Sequence, residues 1–319
     1  MDKAKGRNVV LSVVLVAGSQ RERAQRVIDA IANQTALPSV ELILVDLARA
    51  DARRLEIPER LAHVRLLRPD IRQWGIARAE GARAVSGLSV AFIEDHCFPT
   101  PTWAEMLIET HKDSWGAVGY AFTNANPDSY VSRSSLMARC GSFVHPATRG
   151  QAHLLSGNNV SYKRDLLLSF GQELDEILAI DFCLQEILDQ RGVPMFVESR
   201  ALAAHENFTS VTQEGTTGHH YCRLLAATRA ETQSWSAARR IMHGVGAPLG
   251  SPAIRLWRLI AGLRGRNELR STVLLGLPVI VAEYLFDALG ESLGYLFGVG
   301  NAETETLRWE LNTVRTSGT

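Results

Sequence analysis

Glu94, Asp95 and His96 stand side by side at the end of an apolar run, Leu88–Ile93, and offer two carboxylates and an imidazole within three positions. Carboxylates and imidazoles hold divalent cations, and in open α/β sheets ligands bind at the carboxyl ends of strands. Such a cluster at a strand end can hold a cation against a diphosphate. Along an extended segment successive side chains alternate, which sends Glu94 and His96 to one side and Asp95 to the other. Glu94 and His96 can therefore share one cation, with Asp95 left to contact a ribose or to bind through water. An imidazole in place of a carboxylate reduces the negative charge on the metal and favours Mn²⁺ over Mg²⁺. The competing reading is a solvated turn leading into Pro99 and Pro101. Cys97 beside His96 raises zinc, but structural zinc takes about four ligands and no spaced second pair follows.

The elements that position this triplet alternate between strand and helix. Val9–Val16 is a near-continuous β-branched run suited to a strand buried on both faces, and it is preferred to a signal peptide because it leads into the charged QRERAQR. Arg23–Asn33 has helical spacing at Val27, Ile28 and Ile31. Glu41–Val45 reads as a second strand ending at Asp46, Val64–Leu67 as a third, Ile76–Val85 as a helix, and Val90–Ile93 as the strand that delivers the acidic cluster. This alternation predicts a largely parallel sheet with right-handed crossovers.

The stretch ARAEGARAVSGLSVAFIEDH, residues 77–96, resembles the family 2 glycosyltransferases of the GT-A fold, whose form is ARNxGxxxAxGxxIAFLDDD. Arg78, Gly81, Gly87, Ala91 and Phe92 fall in register; Ala79 replaces the family Asn, Glu94 the first Asp, and His96 the last Asp of the metal-bearing DxD. LSVVLVAGSQ is similar to VSVVIPTYNR, with Val16-Ala17 in place of Pro-Thr, and ELILVDLARAD is similar to EIIVVDDGSTD. Further on, Gly157, Asn158, Asn159, Lys163 and Arg164 fit GxNxAxRR, while Gly171, Asp175, Glu176 and Asp181 fit GxFDExxxxED, with Ile180 in place of Glu.

The resemblance implies a Rossmann-like α/β domain with a mostly parallel mixed sheet flanked by helices, and inverting transfer of a sugar from a nucleotide-diphosphate donor to a hydroxyl. It implies a divalent metal at Glu94 and His96, with His205 near it, and a nucleotide-sugar site at Ala17, Asp46, Arg78, Asp95, Asn158 and Asn159. It makes Asp181 the general base, since one carboxylate suffices when the hydroxyl attacks opposite the departing diphosphate. For Asp46 a cap or turn remains open, for Asp181 an N-cap, and for His205 a structural hydrogen bond.

The composition, 46% hydrophobic and 21% charged over 319 residues, is that of a globular enzyme, and 34 basic residues balance 34 acidic ones, which speaks against a nucleic-acid partner. Cys97, Cys140, Cys183 and Cys222 lack framework spacing and read as reduced thiols. Residues 8–220 are assigned to the GT-A domain and 221–319 to a helical, apolar tail. Between Arg223 and Arg270 nine Arg face two Glu, and the apolar STVLLGLPVIVAEYLFDALGESLGYLFGVG follows. Glu283, Asp287 and Glu291 recur every four residues, as do Gly290, Gly294 and Gly298. Three readings compete: an interfacial hairpin broken near Pro278, a pair of oligomerising helices that would make a homo-oligomer, and a soluble lid whose acidic stripe meets the Arg-rich segment. The first is preferred and predicts a peripheral or monotopic protein on the cytoplasmic face of the membrane, acting on a lipid-linked or cell-envelope glycan. The basic-then-apolar tail with its GExxGYxxG pattern resembles bacterial glycosyltransferases of that kind. A catalytically silent subunit of a glycan assembly is the main alternative. A dinucleotide enzyme is disfavoured because AGSQRER follows the first strand where GxGxxG would stand.

Overall fold

The computed structural model describes residues 9–316. Residue 8, taken as the start of the domain, and residues 317–319 of the tail lie outside the described residues. The β-branched run forms β1 (Leu11–Ala17), buried along its whole length. After it, α1 (Arg21–Ala32) turns Val27, Ile28 and Ile31 inward. Next, β2 (Val40–Asp46) pairs parallel with β1, from Leu11 opposite Val40 to Ala17 opposite Asp46. β3 (Val64–Leu67) adds a parallel edge, and α2 (Trp74–Arg83) leads into β4 (Ser89–Ile93), parallel to the other side of β1. The glycine spacing of α2 has a packing cause: a Cβ on Gly81 would collide with Val14 of β1.

The rest of the sheet is mixed. β5 (Cys97–Pro99), α3 (Trp103–Thr110), β6 (Ala117–Asn124), α4 (Tyr130–Cys140), β7 (Gly150–Ala152) and β8 (Val160–Lys163) are followed by the short α5 (Arg164–Leu168) and α6 (Leu174–Ile177). Then come α7 (Asp181–Gln190) and β9 (Met195–His205). The strand order is β3-β2-β1-β4-β8-β6-β9-β5, with β7 also on β9. This is the α/β architecture expected from the sequence, with helices on the sheet and a helical C-terminal part. β9 is longer than the apolar run at Met195–Glu198 implies. It shifts register after Glu198, resumes at Leu202 beside Ala121 and ends at His205, where antiparallel β5 sets Cys97 directly opposite His205.

Four helices follow among the described residues: α8 (Val211–Thr232), α9 (Ala237–Gly262), α10 (Asn267–Phe297) and α11 (Ala302–Asn312). α8 runs through position 220, so the division placed there falls inside a helix. The break expected near Pro278 does not occur, because α10 continues through that residue while packed against α8, α9 and α4. An internal proline removes one helix hydrogen bond, and packing on three sides offsets that loss. The acidic stripe faces inward. Ser135 donates to Glu283 at 2.5 Å, Arg139 to Asp287 at 2.7 and 2.9 Å, and Arg255 to both Asp287 and Glu291. Side chains at Gly290 or Gly294 would meet the main chain of α8 at His219 and Arg223, so the glycine repeat joins two helices of one chain. α10 is long and apolar enough to cross a membrane, but half of its most apolar window is buried inside the protein.

Burial pushes the Glu283 carboxyl up to about 8, against the pull of Arg139. Its native pKa thus exceeds the unfolded value, the folded state binds the proton more tightly, and stability from this site is lost as pH rises from about 4.5 to about 8. Glu283→Gln should therefore raise the melting temperature at pH 8 by an amount worth roughly 1 kcal/mol or more, and change it little at pH 5. Thermal unfolding at the two pH values checks this, and an equal effect at both would contradict it.

Candidate active site

β4 ends at Ile93, and the next three residues turn across the sheet's carboxyl edge. Glu94 and His96 fall on one side, as alternation predicts, and β9 brings His205 to the same point. One ligand atom from each of Glu94, His96 and His205 lies within 4.8 Å of the others. His96 Nε2 is 3.5 Å and His205 Nε2 3.7 Å from Glu94 Oε2, and the two rings meet edge to face. Each imidazole has its other nitrogen engaged: His96 Nδ1 lies 3.1 Å from Asp95 Oδ1, and His205 Nδ1 lies 2.9 Å from Asn207 Oδ1. Partners at Nδ1 fix the tautomer and aim Nε2 inward, the arrangement that surrounds metal-binding histidines. Two imidazoles and one carboxylate are a donor set for a divalent transition metal.

Electrostatics prepares these groups. Burial holds His96 well below its ordinary pKa, so the ring is neutral. Burial alone would raise Glu94, but His205, Asn158 and the charge of Arg315 bring it down to about 2. Asn158 donates to Glu94 at 2.8 Å, and Asn159 donates to its other oxygen while accepting from the Glu94 amide at 3.0 Å. Asn158 and Asn159 thus hold the metal-side carboxylate. A cavity of about 200 Å³ opens beside the cluster, bordered by Gly157, Tyr221, Arg139 and Arg255.

Asp95 faces away from that cavity and is fully enclosed, 3.0 Å from Arg23 and in contact with the His96 ring. Ala17 and Asp46 lie together at the ends of β1 and β2. Arg21 grips Asp46 with two bonds of 2.8 and 3.0 Å, and the pair borders a cleft of about 620 Å³ that also includes Arg49, Arg68 and Asn312. Asp181, in the first turn of α7, is fully buried with both oxygens on Arg78, at 2.6 and 2.9 Å. Ile180 holds the N-cap position, so Asp181 is not the cap. Arg78 also donates to the carbonyls of Leu178 and Asn158, which ties Asp181 to the loop carrying the two asparagines. Burial raises the Asp181 carboxyl although Arg78 opposes the rise.

Several residues at this site had no role in the sequence reading. Arg23 lay in a run taken only as charged, and Asn207, Glu310 and Arg315 carry no local motif. Glu310 Oε2 is 3.9 Å from His96 Nε2 and 2.5 Å from Arg315, so the C-terminal segment reaches the cluster.

A mixed α/β sheet of this order, with a ligand cluster at the edge of its parallel half and a basic cleft beside it, is a GT-A type transferase domain. Residues 12–170 match the family model described as Glycosyl transferase family 2, and the domain they form belongs to that family, whose activity is glycosyl transfer from nucleotide sugars. The match takes in Ala17, Asp46, Arg78, Glu94, Asp95, His96, Asn158 and Asn159 and ends before Asp181 and His205. No curated protein matches the chain. A solved structure described as "Crystal Structure of a Mycobacterial Protein" is similar at 20% identity over 70% of this chain and 76% of that one, with a TM-score of 0.45.

Mn²⁺ should bind the purified protein, and His96→Ala or His205→Ala should each weaken binding at least about tenfold, the loss expected when a metal site loses a positioned group. Titration calorimetry measures this; unchanged affinity in both variants would remove these histidines from any metal site.

Proposed function

We propose that this protein transfers one sugar, with inversion, from a nucleotide-diphosphate donor to an acceptor hydroxyl on a lipid-linked or cell-envelope glycan. The observation that carries the proposal is the convergence of Glu94, His96 and His205 at the strand ends of a family 2 domain. A divalent cation bound there would offset charge on the departing diphosphate. The two imidazoles favour Mn²⁺ over Mg²⁺. Asp46, beside Ala17 at the strand ends, borders the cleft suited to the nucleoside, where Arg49 and Arg68 supply positive charge. Asn158 and Asn159 act on the site through Glu94, and Asp95 acts through His96.

Asp181 is the proposed base that takes the hydroxyl proton. In that role it must expose a carboxylate edge that Arg78 now covers, so the base and its guanidinium partner have to separate when the acceptor arrives. The same enclosure supports the second reading, a catalytically silent subunit, in which the Arg78–Asp181 pair only braces the asparagine loop. Asp181→Asn distinguishes them. As a general base its loss should lower transfer by about 10²–10⁴-fold with Mn²⁺ binding kept, while the unpaired Arg78 charge lowers the melting temperature in either reading. If metal binding falls along with stability, Asp181 is a brace; no transfer by the wild type from UDP-, GDP- or TDP-sugars would favour the silent subunit.

The protein is further proposed to sit on the cytoplasmic face of the membrane as a peripheral enzyme. α9 exposes Met242, Val245, Trp257 at 67% and Leu249 at 84%, and α10 exposes Leu274 and, at 75%, Leu275. Arg258 and Arg264 are exposed beside them. Apolar side chains flanked by Arg on a surface helix match an interfacial helix on anionic lipid. The intact chain should float with vesicles containing phosphatidylglycerol and should be lost from them on Leu249→Glu with Trp257→Glu. Recovery of the wild type in the lipid-free fraction would refute membrane association.

A further inference from the structure

The C-terminal segment from Trp309 to Arg315 is clasped to the two parts of the chain that carry the metal ligands. Arg23 donates to the carbonyls of Glu310, at 2.8 Å, and Thr313, at 3.2 Å, with the same guanidinium that pairs with Asp95, the carboxylate orienting His96. On the other side, the Thr209 amide donates to the Arg315 carbonyl at 3.0 Å, and the Arg315 guanidinium lies 4.2 Å over the Phe208 ring, three residues beyond His205. Leu311 closes against Gly18, where a Cβ would come within 2.6 Å of its side chain, and Asn312 accepts from the Ser19 amide at 2.9 Å. These contacts fix the main chain at Glu310 beside the cluster.

We infer that Glu310 is a fourth ligand of the cation, and that loading the site transfers Glu310 from Arg315 to the metal. The distance is short: Glu310 Oε2 is 3.9 Å from His96 Nε2, so a cation between them needs only a small adjustment of either side chain. Charge favours the same move. With Glu94 and the two imidazoles alone, a dication would keep one uncompensated positive charge on its own ligand set in a buried cavity, which is costly. Glu310 makes that ligand set neutral and leaves the positive charge on Arg315. That oxygen now rests on Arg315 at 2.5 Å, and two cations on one carboxylate oxygen would repel each other, so the guanidinium is released as the metal enters. The freed Arg315 lines the cavity beside the cluster, where its planar donors suit a diphosphate.

This inference rests on the metal-dependent reading above, and one titration separates the two. Mn²⁺ binding to the full chain is measured by calorimetry and by the electron paramagnetic resonance of the ion, for the wild type, Glu310→Gln and Arg315→Met. Glu310→Gln keeps the size of the side chain and should weaken Mn²⁺ binding about 10–100-fold. Arg315→Met removes the competitor and should tighten it, while weakening the binding of UDP or GDP in the presence of Mn²⁺. If Glu310→Gln fails to fold, Arg315→Met decides alone. Wild-type Mn²⁺ binding with neither variant altered, or weakened by Arg315→Met, would overturn the exchange and leave the three-residue site standing. No Mn²⁺ binding by the wild type would overturn both readings.

Discussion

The charges at the core of this protein's site are buried, and each must be compensated where it lies. Around the sheet's carboxyl edge the compensation is repeatedly arginine on carboxylate: Arg21 on Asp46, Arg23 on Asp95, Arg78 on Asp181, Arg139 on Asp287 and Arg315 on Glu310. Glu94 differs. Its hydrogen-bond donors are two asparagine amides, and two imidazole rings stand against its second oxygen. A carboxylate held ionised without a directly bound guanidinium is suited to receive a cation.

These pairs also transmit order from the scaffold to the site. Arg78 stands on α2, whose close approach to β1 depends on Gly81, and it reaches through Asp181 and the Asn158 carbonyl to the loop that positions Glu94. Arg23 on α1 does the same for His96 through Asp95. Neither arginine touches the expected ligand position. Each converts helix packing into orientation of a ligand: Arg78 holds Asp181 with both terminal nitrogens, and Arg23 reaches both Asp95 oxygens with one.

The sequence displayed the half of the site built by local rules and concealed the half built by docking. β1, β2 and β4 were legible because strands buried on both faces read as continuous β-branched runs, and the split of Glu94 and His96 from Asp95 follows from the period of two. The position of His205 depends on a register shift after Glu198 and on its pairing with Cys97, more than a hundred positions away, which no local pattern encodes. Arg23, Glu310 and Arg315 are likewise joined by chain folding alone. In the tail, the spacing of Glu283, Asp287 and Glu291 correctly placed them on one stripe, but the sequence could not identify what that stripe faces. Arg139 comes from α4 and Arg255 from α9, so the contact resembles the lid reading more than the hairpin, while the outer face of α9 carries exposed apolar side chains.

The path from α11 back to β1 gives the tail a second consequence. Asn312 borders the cleft beside Asp46, and Glu310 and Arg315 border the cavity beside the metal cluster. One short segment thus lies between the space suited to a nucleoside and the space suited to a reacting sugar, the position a diphosphate would span. Helices α8 and α10 carry that segment there, joined through Gly290 and Gly294, and the outer faces of α9 and α10 are the exposed apolar ones. Packed helices thus connect the exposed apolar faces of α9 and α10, through α8, to α11 and the segment that bears Glu310 and Arg315.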